Sequence, residues 1–233
     1  MADVSQPDAQ APAVVSLVQR MRVRTRELHA RAERSGVIAA ILAGQATRLD
    51  YAIYLRNILP VYQAMEPALE RQRDRPGIGA LVPPSLFRAA SIQADLECLA
   101  GPGWADVLPQ VRAGQQYAAR VARAGGGDGG MLIAHAYTRY LGDLNGGQIM
   151  RRQLVRLFGS DFTAVRFLEF PAIADTSGFA AAFRAALDAA ANQLADPDAV
   201  VQEAAIAFEL NIAVSQEVAG LQSASQRAGK PAP

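Results

Sequence analysis

Apolar residues recur along this chain at intervals of three and four, with little sustained alternation, and that periodicity predicts helices nearly throughout. Val14, Leu17, Val18, Met21, Leu28 and Ala32 mostly keep the helical spacing and predict a first helix over residues 14–34. A short helix is expected over 37–42, closed by Gly44, and Thr47 is placed to cap the next one, which reaches about residue 71. Inside that helix Tyr51, Leu55, Ile58, Tyr62, Met65 and Leu69 form one continuous stripe, while Pro60 and Pro67 predict a kink or a break. Residues 74–84 read as a loop rich in Pro and Gly, followed by helices over 86–99 and 109–124. Residues 131–158 are helical in pattern but interrupted by glycine, 161–173 read as irregular, and two last helices cover 176–194 and 197–221. The sum is an all-α fold, a single-domain multi-helix bundle over residues 13–222, with flexible tails at 1–12 and 223–233.

Composition fits this picture. Of 233 residues, 51% are apolar and 19% charged, as expected of a globular chain. Lys and Arg total 23 against 22 Asp and Glu, so charge gives no argument for nucleic acid, although arginines gather in the first third. No run of 18 apolar residues occurs, so no membrane anchor is expected, and no signal peptide is visible at the start. Cys98 is the single cysteine; no intrachain disulfide can form, which suits a cytoplasmic location. The glycine-rich stretch 125–130 lacks the Lys-Ser/Thr of a phosphate loop and reads as a connector.

One segment does not look structural. In Tyr137-Thr138-Arg139-Tyr140-Leu141-Gly142-Asp143-Leu144-Asn145-Gly146-Gly147-Gln148, three glycines fall within six residues of a helical pattern. Each costs a helix interior roughly 1 kcal/mol relative to Ala. The glycines could break the helix, or let another helix pack closely, or admit a flat ligand against the backbone. Gly142 and Gly146 share a face, and Arg139 and Asp143, also four apart, can share a polar network.

Only two histidines occur. His135 sits among Ala134 and Ala136 and takes the structural reading. His29 has Glu33 one turn later, placed to fix its tautomer directly or through water, and Arg22 seven residues earlier on the same face. An apolar, basic-edged helix face carrying one imidazole suits an iron porphyrin with anionic propionates. Zinc lacks ligands here, a di-iron bundle would need repeated Glu-x-x-His, and there is no C-x-x-C-H for covalent heme attachment, whereas one axial His is enough for heme.

Leu28-His29-Ala30-Arg31-Ala32-Glu33 and Ala134-His135-Ala136 running on through Gln148 closely resemble the two hallmark segments of heme oxygenases, with the animal and cyanobacterial type the closer match. Phe170-Pro171 and Phe208-Glu209-Leu210-Asn211-Ile212 look like later family segments, so that the resemblance spans roughly residues 15–221. It implies heme b as both substrate and cofactor, held between a proximal and a kinked distal helix, with His29 as the iron ligand and Glu33 its partner. It also implies that Gly142, Gly146 and Gly147 line the distal side and that Asp143 anchors a water network extended by Tyr62, Tyr117, Arg139 and Asn211. Arg22 and Arg184 match basic residues near the propionates, and Tyr137 and Phe208 match pocket positions. The implied reaction uses O2 and external electrons, from a ferredoxin or a flavin reductase, to yield biliverdin, ferrous iron and carbon monoxide; a heme carrier without turnover is the competing reading. Two departures stand out. Ala180 replaces a basic residue four before Arg184, which puts propionate anchoring and the ring position of cleavage in question, and Asn145 replaces a common serine.

Overall fold

The computed structural model describes residues 15–126 and 129–228, with side chains to residue 221. Helix α1 (Leu17–Glu33) starts at Ser16, whose hydroxyl accepts the Gln19 N–H, and buries Leu17, Met21, Thr25 and Leu28. Helix α2 (Gly36–Leu42) begins at a glycine the fold requires. Gly36 has φ +63°, and a Cβ there would lie 2.3 Å from the backbone of Ser215.

Helix α3 (Arg48–Glu70) opens with a reciprocal cap: the Thr47 hydroxyl accepts the Asp50 N–H at 3.2 Å, and the Asp50 carboxylate accepts the Thr47 N–H at 2.7 Å. The break expected at Pro60 and Pro67 is absent, for α3 runs through both. A proline removes one ladder bond, but α3 is buried along most of its length among α4 (Ala89–Ala100), α6 (Arg112–Ala124), α7 (Gly130–Phe158) and α9 (Pro197–Ala228), and that packing holds it. Helix α4 starts later than the pattern predicted because residues 84–86 form a 3-10 turn and the buried Glu66 carboxylate receives the Arg88 and Ala89 N–H groups. A single turn, α5 (Trp104–Val107), lies between α4 and α6. The start of α6 is pinned by Asn57, which donates to the Pro109 carbonyl and accepts from the Val111 N–H.

Helix α7 is unbroken through all three central glycines, so the helix-break reading fails. Helix α8 (Thr176–Ala190) is capped by Asp175. Helix α9 continues to Ala228, into the stretch that the sequence pattern left outside the domain; residues 1–14 and 229–233 lie outside the described residues, as do 127 and 128 of the connector.

Helix α9 is the hub of the fold. It packs against α1, α2, α3, α6 and α7. Over Pro197–Leu221 it is long and apolar enough, by composition, to cross a membrane, but its apolar residues Val200, Ala204, Val214 and Val218 belong to the domain core. Both α1 and α7 pack on α9 and leave a cleft between them. A second, small apolar cluster of Leu28, Ala205, Phe208 and Ile212 stands apart from the main core on the α1 side of that cleft.

Candidate active site

The cleft holds a cavity of about 940 Å³, near the top of the roughly 300–1,000 Å³ range of ligand sites. Helix α1 supplies Arg22, His29 and Glu33, α3 supplies Tyr54, α7 its residues from Tyr137 to Met150, α8 Arg184, and α9 Phe208 and Asn211.

On the α1 wall, His29 is exposed to the cavity and tilts against Phe208, with ring centroids 5.9 Å apart. Its Nδ1 lies 3.6 Å from Glu33 Oε1, near enough for an ion pair but too long for a direct hydrogen bond.

On the α7 wall, Gly142 and Gly146 are exposed to the cavity. A Cβ built on either meets nothing within 4 Å, and neither has positive φ. Neither backbone conformation nor helix packing therefore requires these two glycines. What they leave open is space in the cavity. Gly147 differs, since a Cβ there would press Leu168 at 3.3 Å, so this glycine also serves packing.

Behind the glycines lies a charged network. Arg139 donates from Nε to the Tyr62 hydroxyl at 2.9 Å, from Nη1 to Asn211 Oδ1 at 2.6 Å and from Nη2 to Asp143 Oδ1 at 3.3 Å. Tyr62 donates to the other Asp143 oxygen. Burial raises the Asp143 carboxyl above its usual range, opposed by the Arg139 charge, the Tyr62 hydrogen bond and Arg88. Burial likewise raises the Tyr62 phenol well above its usual value, so it stays a donor.

Arg22, Arg184 and Tyr137 also line the cavity, and burial raises the Tyr137 phenol above its usual value, opposed by Thr25 and by the charges of Arg184 and Arg22. Asp188 lines it too and accepts the Val18 N–H at 2.8 Å, capping α1 from α8.

The fold brings Arg22, His29, Glu33, Tyr137, Arg139, Gly142, Asp143, Gly146, Gly147, Arg184, Phe208 and Asn211 around this one cavity. Tyr62 is outside its wall and reaches it through Asp143 and Arg139. Tyr117 lies outside the cavity wall, buried against His135 with ring centroids 5.7 Å apart, and its hydroxyl has no protein hydrogen-bond partner among the described residues. Ala180 is buried in α8 and outside the wall. His135 is fully buried and bonds Glu203 at 3.0 Å, away from the cavity. Sequence reasoning missed Tyr54, which the pattern does not set apart from Tyr51 on the same helix.

Comparison with known proteins bears on this arrangement. The family model described as heme oxygenase matches residues 15–217. Heme oxygenase 1 of Nostoc sp. is 34% identical over 206 residues, covering 88% of this chain and 87% of its own. Heme oxygenase 1 of Homo sapiens is 32% identical over 216 residues, covering 91% and 74%. Among solved structures, heme oxygenase-1 from Synechocystis sp. in complex with heme superposes with a TM-score of 0.81 at 30% identity, over 92% of this chain and 98% of the other. Heme oxygenase from Leptospira interrogans gives 0.79 at 31% identity, over 87% and 100%.

Proposed function

We infer how the cavity works from one fact: this chain belongs to the heme oxygenase family. It is an enzyme that degrades heme to biliverdin, and heme is both its substrate and its cofactor. The observation that carries the assignment of sites is the pair Gly142 and Gly146, whose missing side chains open only onto the cavity that His29 shares.

His29 is the iron ligand in this reading, with the Glu33 carboxylate 3.6 Å from its Nδ1 placed to hold it in one tautomer after a small side-chain adjustment. Bound heme supplies the iron at which O2 is reduced, and its own ring is what is oxidised. The apolar wall of Ala32 and Phe208 covers one flank of the ring. Arg22, Arg184 and Tyr137 receive the propionates, so that end of the cavity fixes the rotation of the ring. With Ala180 buried, these groups carry the anchoring that a further basic residue would otherwise share.

The glycine face of α7 lets oxygen lie against the backbone. Asp143, its affinity for protons raised by burial, passes protons to water in the cavity, while Arg139 and Tyr62 keep its carboxyl oriented. Asn211 fixes the far side of the Arg139 guanidinium. Electrons come from outside, from a ferredoxin or a flavin reductase. The lone cysteine fits a reducing cytoplasm.

The test is direct. Purified chain is titrated with heme, then given reductant and oxygen. A Soret band should form, disappear on turnover and be replaced by bilin absorbance. A Soret band that forms and persists would replace the enzyme with a carrier, and no spectral change on titration would overturn heme binding itself.

A further inference from the structure

Tyr54 has no part in the reading above, yet it is the one tyrosine of α3 in the cavity wall. It is 2% exposed, and α7 places Arg139, Gly142 and Asp143 in the same cavity. Tyr51, Tyr117 and Tyr140 bury hydroxyls that have no hydrogen-bond partner among the described residues. Tyr54 is not among these. Burial raises its phenol most, the Arg139 charge opposes that rise, the Asp143 charge adds to it, and hydrogen bonding toward Arg139 is a smaller opposing pull.

The donors of Arg139 leave room for this contact. A guanidinium carries five N–H groups. Tyr62, Asn211 and Asp143 each take one, from Nε, Nη1 and Nη2 respectively, which leaves one N–H on each terminal nitrogen. Tyr54 and Asp143 both line the cavity, whereas Tyr62 grips the guanidinium from outside its wall. A phenol that accepts from a cation keeps its own O–H free to donate.

We propose that Tyr54 is a positioning residue for ring opening: from the α3 wall its hydroxyl holds the Arg139 guanidinium and, through it, fixes the carboxylate of Asp143. The proposal rests on the heme oxygenase reading of the cavity. It adds a second tyrosine clamp on Arg139, on the side that water and substrate reach, and leaves the Tyr54 proton available to the water that Asp143 serves.

Tyr54→Phe tests this, since it removes one oxygen and keeps the ring that α3 packs. Two readouts are needed. The first uses the 15N-labelled chain without heme and follows hydrogen exchange of the Arg139 side-chain N–H groups; loss of the clamp should speed it by roughly tenfold, the worth of one hydrogen bond to a charged group. The second uses the heme complex, in which ring opening should slow by a similar factor while heme affinity is unchanged. Unchanged Arg139 exchange overturns the proposal, whatever happens to the rate. Faster exchange with an unchanged ring-opening rate also overturns it, because Arg139 would then be held by Tyr54 to no purpose in the reaction. Failure of the parent chain to open heme at all would sink the underlying reading instead, and the exchange readout in the heme-free protein would still report on the clamp.

Discussion

Asp143 is a carboxyl whose burial and charged neighbours pull in opposite directions, and burial wins. Asp143→Asn keeps its shape and removes its proton chemistry. Heme affinity should stay near the parent value while biliverdin formation falls by on the order of a hundredfold. A normal biliverdin yield would remove Asp143 from proton delivery. His29→Ala should instead abolish the spectrum of an imidazole-ligated heme, and an unchanged spectrum would rule His29 out as ligand. At this scale the site was legible where the chemistry was local. Arg139 and Asp143, four apart among glycines, announced a polar pair. Tyr54 did not, because in the sequence it cannot be told from Tyr51, a tyrosine of the same helix with its hydroxyl unpartnered in the core. Tyr117 is close enough to feel the Arg139 charge, yet its hydroxyl has no protein hydrogen-bond partner among the described residues.

The elements were legible from periodicity, and the exceptions have causes outside the local pattern. Pro60 and Pro67 predicted a broken α3, but a helix packed by α2, α4, α6, α7 and α9 tolerates them. The glycines predicted an interrupted α7, but the ladder continues, and the penalty of an unsupported glycine is absorbed along a helix largely buried against its neighbours. Two glycines now separate by sign. Gly142→Ala should raise the melting temperature of the heme-free chain by about 2–4 °C, as expected for removing roughly 1 kcal/mol of helix penalty in a chain of this size. The same Cβ points into the cavity and should impair ring opening. Gly36→Ala should lower the melting temperature, because its φ is positive and Ser215 stands in the way. Thermal unfolding of both variants checks the pair; a destabilised Gly142→Ala would mean the glycine serves the fold.

For the whole molecule, Glu203 on α9 ties three helices together, pairing with Arg120 of α6 and His135 of α7. Those partners hold its carboxyl down at about 2, against the ordinary 4.5. A depressed value of this kind gives stability that is complete above 4.5 and is lost as the pH falls toward 2. Glu66 works in the opposite direction. Burial lifts it to about 7, so its contribution is lost as the pH rises from 4.5 through 7. Denaturant unfolding across this range should show Glu203→Gln flattening the acid limb of the stability curve and Glu66→Gln flattening the rise-side loss; parallel curves would refute both assignments. The small cluster of Leu28, Ala205, Phe208 and Ile212, standing apart from the main core across the cleft, has a further consequence. A flat ligand seated in the cleft would cover apolar surface of this cluster that the chain alone leaves open to the cavity, and would lend its binding energy to the anchoring of α1. Amide exchange in α1 should therefore slow when heme is added. Ring opening would turn a rigid plate into a bent open chain, and that support of α1 would end as the reaction finishes. Exchange in α1 should then return to its starting rate, and an unchanged rate throughout would refute this role for the cluster.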